Sequence, residues 1–385
     1  MNKPVFLIPG FGGSLLYNKK KPYNYYLNHK ILSNKWANVY PFTFKYINRW
    51  KKDMTVDFKY DENNNIIGYT DYNNDIVAYD MYGIDGIQNL VPEFNYLNDN
   101  YKNILEDQFH YQYYNILNDR LIDIGYVPSK DLIGLPYDFR LILDPEIRNK
   151  YFKRIKKSII NRTDKCNKKA IIITHSIGGI LLKWFLSEYV DEEFINRYID
   201  KVILINTPFG GTPVALKAAL IGESYVPFLY SVFLDYTSKF SGVLMTFPNN
   251  LSYDYEESFM VLKDENINIT LQNIYEQDNL PFKAWRDLYL PYLDLIKSPL
   301  DNIDTKIIIS NENQTAKQFY TKNLSSTPYK IDYDLNGDGL ITSTSLEYAK
   351  KIFTNNETLY VKNTDHTGVL SNDILINNII KWVTD

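Results

Sequence analysis

The stretch AIIITHSIGGILLKW, residues 170–184, carries Ser176 between a β-prone run and the start of an apolar, helix-like run. A serine at the tip of such a strand-to-helix turn is forced outward, its Oγ clear of the sheet and the next backbone N–H facing the same space. That is the placement a nucleophile needs for acyl transfer. The residues two positions either side must be small; Gly178 and Gly179 meet this on the helix side, whereas Thr174 stands where a glycine is usual. An ordinary helix N-cap would also place a serine here. The motif alone leaves both readings open.

A serine nucleophile needs a histidine base and an acid. The chain has four histidines, His29, His110, His175 and His366. His175 lies next to the serine on a strand end, so its side chain is expected on the opposite face. His29 and His110 precede the turn in aromatic, loop-like surroundings and read as structural or surface residues. His366, in NTDHTGVL (363–370), follows the last expected strand and precedes the final helix, the place of the base in the order Ser, acid, His. Between them, NGDGLITSTSLEYAK (336–350) offers Asp338 in a turn as the acid. The same stretch has a rival reading as a calcium loop, with Asp334, Asn336 and Asp338 at positions one, three and five. Its twelfth position is Ser345, where a bidentate carboxylate belongs, so the acid reading is preferred.

The tetrahedral intermediate needs two N–H donors. The Ile177 amide is one by the geometry of the turn. The glycine-rich IPGFGGS (8–14) follows an early strand and offers the Phe11 amide as the other. As a phosphate-binding loop it lacks the P-loop lysine and the G-x-G-x-x-G spacing. None of this chemistry requires a cofactor or a metal.

These groups must be positioned by a sheet. Short, nearly all-apolar runs recur at Pro4–Ile8, Ala170–Thr174, Lys201–Ile205, Lys306–Ile309 and Thr358–Val361, the pattern of strands buried on both faces of a parallel sheet. Ile177, Ile180, Leu181, Trp184 and Phe185 recur at spacings of three and four and mark one face of a helix between the second and third runs. The expected class is therefore α/β, a mostly parallel sheet covered by helices. Residues 17–115 and 212–300 break the rhythm with aromatic, turn-rich sequence and read as insertions over the carboxyl edge of the strands. A single catalytic domain, 1–385, with these cap elements is preferred to two tandem domains.

Composition limits the rest. The chain has 385 residues, 45% of them hydrophobic, enough for a sizeable core. A net charge of −4 without blocks of like charge leaves no nucleic-acid footprint. The 34 tyrosines, with abundant Asn, Ile and Lys, reflect an AT-rich coding sequence rather than a function. A single cysteine, Cys166, excludes an intrachain disulfide, and no signal-like segment or bilayer-length apolar run is present, so a cytoplasmic protein is expected.

With these residues in place the chain resembles the lecithin:cholesterol acyltransferase family. PVFLIPGFGGSLL (4–16), the W…W…M-x-V…GIDGIQNLVPEF region (36–94), GLPYDFR (134–140), THSIGG (174–179), KVILINTPFGGTP (201–213) and NGDGLI with DHTGVL (336–341, 365–370) occur in the family's order. The match is poorest over 212–330. The resemblance implies an α/β-hydrolase fold with Ser176 as nucleophile, Asp338 as acid, His366 as base, and Phe11 and Ile177 as oxyanion amides. It implies an aromatic lipid-docking segment near Trp36 and a mobile lid within about 212–250. It also implies a glycerophospholipid substrate met at a membrane surface, its acyl group passing to water or a lipid alcohol. A neutral-lipid or small-ester esterase on the same core, and a non-catalytic calcium-binding module, are the alternatives. Oligomeric state is not legible.

Overall fold

A computed structural model describes residues 2–18, 36–37, 52–70, 72–78, 83–88, 113–222 and 230–385. Its centre is a six-stranded sheet built from β1 (Val5–Ile8), β2 (Leu132–Gly134), β3 (Ala170–His175), β4 (Ile199–Ile205), β5 (Asp304–Asn311) and β6 (Asn356–Lys362). Their order is β6-β5-β4-β3-β1-β2, and every neighbouring pair is parallel. The five apolar runs expected as strands are all in this sheet. The sixth, β2, is only three residues long and carries no period to read.

Alternation along the strands divides the core. Ala170 and Ile172 of β3 face one apolar cluster, Ile171 and Ile173 the other. Helices α1 (Asn115–Asp123) and α4 (Asp373–Thr384) cover the second face through Leu117, Leu121, Leu375, Ile376 and Ile379. On the first face lie α2 (Pro145–Cys166) and α3 (Ile177–Trp184), with Phe152, Ile155, Ile180 and Leu181. The start of α2 is set by Asp144, whose carboxylate accepts from the Glu146 and Ile147 amides, with Pro145 at the first helical position. Asn167 in the left-handed conformation ends it. This is the mostly parallel, helix-covered sheet of the α/β-hydrolase fold.

One difference concerns α3. The spacing of its apolar residues predicts one buried face, whereas all eight residues are buried, Lys183 included. The sheet covers one side; on the other, the helix Leu290–Lys297 packs against it, with the Trp184 and Tyr292 ring centroids 4.2 Å apart. That helix comes from the sequence read as insertion, so its packing partner was not visible locally.

The other sheets are smaller. Ile267–Thr270, Ser258–Leu262, Asn313–Thr321 and Lys330–Gly337 form a four-stranded sheet, with Lys330–Gly337 at one edge leading straight into Asp338. Trp36–Ala37 pairs antiparallel with Leu16–Asn18, which also pairs with Ile76–Ala78. His29, Trp50 and His110 lie outside the described residues.

Candidate active site

β3 ends at His175, and the chain turns at Ser176 into α3 with φ 55° and ψ −132°. This backbone region is strained for any residue with a Cβ and costs about 1–3 kcal/mol, held here by the surrounding structure. The Ser176 N–H donates to Ile205 O at the end of β4, 2.9 Å away. The turn is tight enough that a Cβ on Gly178 would sit 2.6 Å from Ile8 O, and one on Gly179 2.1 Å from Thr207 Oγ1. Thr174, in the place of the usual glycine, is fully buried, and its hydroxyl has no hydrogen-bond partner among the described residues.

Ser176 occupies the N-cap position of α3 but makes no capping hydrogen bond. Its Oγ lies 2.9 Å from His366 Nε2, and His366 Nδ1 lies 2.6 Å from Asp338 Oδ2. A carboxylate only accepts, so the Nδ1 proton is donated to Asp338 and Nε2 is free to accept from the serine hydroxyl. The other carboxylate oxygen of Asp338 accepts from the Leu340 and Ile341 amides at 2.9 and 2.7 Å. Asp338 is completely buried, whereas Ser176 and His366 keep 6% and 7% of their surface. Those traces of exposure are where a substrate carbonyl can reach the serine.

The stretch weighed as a calcium loop folds otherwise. Asp334 accepts from the Asn336 amide and from both the amide and the hydroxyl of Ser343, and Asp338 is committed to His366.

Phe11 and Ile177 carry amide N–H groups that have no acceptor among the described residues. The loop holding Phe11 is fixed from both sides. Tyr137, from the GLPYDFR segment, donates its hydroxyl to Pro9 O at 3.0 Å, and its own N–H donates to Ser14 Oγ. The Phe11 ring sits 5.1 Å from that of Phe139 and 6.5 Å from that of Phe240, and a Cβ on Gly242 would lie 2.2 Å from Phe11 Cδ2. Residues 240–242, from the stretch expected to hold a lid, thus pack directly over this loop.

Sequence reasoning missed the surroundings of His366. His175 does project to the face opposite α3, as alternation requires, but that face is where His366 returns. The two imidazole centroids are 4.8 Å apart, and His175 Nε2 is 2.8 Å from His366 O. Burial, then the neighbouring His366, holds the His175 imidazole well below its ordinary pKa, which keeps it neutral. Asn206, with φ 47° at the end of β4, donates to Ser310 Oγ at 3.0 Å and to His366 O at 3.3 Å. An asparagine at a strand terminus in INTP (205–208) was the available signal for it.

A serine on a strained turn, a histidine in line with a buried carboxylate, and two amides without acceptors among the described residues make an arrangement in which an acyl ester can form and break on a serine. The family model of lecithin:cholesterol acyltransferase matches residues 93–367. The chain is similar to phosphatidylcholine-sterol acyltransferase of Gallus gallus, 23% identical over 62% of this chain and 58% of that protein. It is similar to lysosomal phospholipase A and acyltransferase of Bos taurus, 25% identical over 42% of this chain and 39% of that protein. To phospholipase A(1) LCAT3 of Arabidopsis thaliana it is 26% identical over 60% of this chain and 47% of that protein. The chain thus spans between 39% and 58% of the length of these relatives. A chain of the solved Tle4-Tli4 complex shares the fold, with a TM-score of 0.54 at 12% identity over 99% of this chain and 98% of that one.

Proposed function

The chain belongs to the lecithin:cholesterol acyltransferase family, and from that premise we propose that it is a serine-dependent lipid acyl hydrolase or acyltransferase acting on an acyl ester of a glycerophospholipid. The observation that carries the reading is the unbroken line from Ser176 Oγ through His366 to Asp338.

In the reaction, His366 Nε2 takes the Ser176 proton as Oγ attacks the ester carbonyl. Asp338 holds the imidazole in the Nδ1–H tautomer and steadies the imidazolium. The Phe11 and Ile177 amides receive the oxyanion, each worth about 3 kcal/mol of barrier. Collapse of the intermediate expels the alcohol oxygen of the lipid, which takes the proton from His366 Nε2, and leaves the acyl group on Ser176. His366 then removes a proton from water or from a lipid hydroxyl, and the second attack regenerates the serine. Water needs no binding pocket, so hydrolysis is the simpler outcome.

The substrate class follows the relatives, whose names carry phospholipase A and phosphatidylcholine-sterol acyltransferase. No helix among the described residues is long and apolar enough to cross a membrane. The protein meets its substrate as a peripheral, cytoplasmic visitor to lipid surfaces, with the Trp36 region as docking segment and residues 212–300 as cap. Those roles stand or fall with vesicle flotation.

The test is product analysis from phosphatidylcholine vesicles, with and without an added long-chain alcohol. Wild type should release lysophospholipid together with fatty acid or an alkyl ester, and Ser176→Ala should release none. Equal release by Ser176→Ala would overturn the assignment. Turnover of triacylglycerol or short nitrophenyl esters with phosphatidylcholine untouched would favour the esterase alternative on the same core.

A further inference from the structure

The hydroxyl of Tyr113 sits at a junction the reaction above does not use. The Gly10 N–H donates to it at 2.7 Å, and it lies 2.7 Å from His175 Nδ1. The carbonyl oxygen of His366 can only accept, so the proton of the neutral His175 sits on Nε2 and is donated to it at 2.8 Å. Nδ1 is then an acceptor, and Tyr113, which accepts from the Gly10 N–H, gives its own proton to Nδ1. Three hydrogen bonds in series thus run from the Pro9–Gly10 peptide group, one residue before the Phe11 amide, to the backbone of His366.

The same loop is gripped at each step. Tyr114 donates its hydroxyl to Ile8 O at 3.2 Å and Tyr137 donates to Pro9 O at 3.0 Å, so three successive residues are each tied to a buried tyrosine. Gly10 has no room for a side chain, since a Cβ there would lie 2.7 Å from Ser176 Cβ and 3.2 Å from both His175 Nδ1 and the Tyr113 hydroxyl. Among the described residues, only the Tyr113 link reaches across from the loop to the base.

We propose that Tyr113 and His175 are positioning residues that lock the Phe11 amide and the His366 imidazole to one another, so that oxyanion donor and base hold a fixed separation when Ser176 attacks. The proposal rests on the roles given above to Ser176, His366 and Phe11. Neither Tyr113 nor His175 touches the reacting atoms. Their contribution comes from preorganisation, since an oxyanion donor displaced by a fraction of an ångström loses most of its effect. The alternative is that the pair only fills the core, with ring centroids 5.4 Å apart in an edge-on contact. Tyr113→Phe separates the two, because it keeps the ring and deletes only the relay.

The experiment compares wild type, Tyr113→Phe, His175→Ala and the double variant on a water-soluble nitrophenyl ester. It also measures inhibition by an alkyl boronic acid, which mimics the tetrahedral intermediate, and the thermal midpoint. Tyr113→Phe should lower kcat about 10- to 100-fold with KM unchanged, and boronate affinity should fall in the same proportion. The double variant should be no slower than His175→Ala, because a broken relay cannot be broken twice. Wild-type kcat and boronate affinity in Tyr113→Phe, or single losses that multiply in the double variant, would overturn the proposal. If His175→Ala does not fold, kcat and boronate affinity of Tyr113→Phe decide alone. Ser176→Ala runs beside them: turnover surviving there sinks the underlying reading, whereas a dead Ser176→Ala beside a fully active Tyr113→Phe sinks only the relay.

Discussion

Gly178 backs onto Ile8 so closely that a Cβ at position 178 would sit 2.6 Å from the Ile8 carbonyl oxygen, with Pro9 O only 2.7 Å away. Both obstacles are backbone, and both belong to the loop that carries Phe11. Gly178→Ala should therefore destabilise the fold by about 1–3 kcal/mol through overpacking. It should also lower kcat more than that loss explains, because the loop must shift. Denaturant midpoints and ester turnover on the same sample check both halves; an unchanged kcat would mean that the Phe11 loop does not matter.

His366→Ala should reduce kcat by about 10,000-fold while leaving the thermal midpoint within a few degrees of wild type. Asp338→Asn should produce a loss of similar order, since the amide keeps an acceptor for the Leu340 and Ile341 N–H groups but no longer enforces the tautomer. Circular dichroism of both variants accompanies the kinetics. Activity retained by either variant would contradict the proton path.

Ser176 holds φ 55°, where only glycine is comfortable. Ser176→Gly should be more stable than Ser176→Ala by about 1–3 kcal/mol, and both should be inert. The comparison is read in urea. Equal stability would mean that the turn relaxes once the hydroxyl is gone.

Thr and Val are nearly the same shape, and the Thr174 hydroxyl is buried without a partner among the described residues. Thr174→Val should accordingly raise stability, by up to about 1–3 kcal/mol, because an unsatisfied buried hydroxyl is removed without leaving a cavity. A lower melting temperature would point to a bound water on that hydroxyl.

Lys183 is buried on α3 with its ammonium directed at Ser187 Oγ, Leu295 O at 3.0 Å and Ser298 Oγ at 3.2 Å. No carboxylate is among these partners, and burial pulls its pKa down to about 8. Between that value and the ordinary lysine range, the unfolded chain binds more protons than the folded one, so this group adds stability as pH rises. Wild type minus Lys183→Met stability should therefore increase from pH 7.5 to 9.5. The tyrosines common to both proteins cancel in the difference. A flat or falling difference would show that the ammonium is fully solvated in the folded state.

Much of this was legible because the six-stranded sheet, apart from its half-exposed edge strand Asn356–Lys362, is buried on both faces. Runs such as AIIIT and KVILI have no soluble alternative, so strand identity and parallel direction follow from composition alone. Ser176 and His366 are legible because each follows an apolar run, and Asp338 because it stands in a turn between them, in the order that a hydrolase sheet imposes. The rest depended on contacts between distant segments. The edge strand Lys330–Gly337 is half exposed, carries Tyr333 and Leu335 outward, and has no burial signal to set it apart from a loop. Lys183 carries no local sign of burial, because the helix over it lies more than a hundred positions away. His175 was placed on the correct side of the strand, yet nothing local indicates that His366 comes back to the same side.

Ser176 and His366 are separated by 190 positions along the chain, and Asp338 arrives from the edge of a different sheet. A nascent polypeptide that has folded only as far as residue 337 owns the serine and its strained turn but neither acid nor base. On the proposed reaction, esterolytic competence is thus postponed until the chain has folded through residue 366, and a copy stopped short of that point cannot attack an ester.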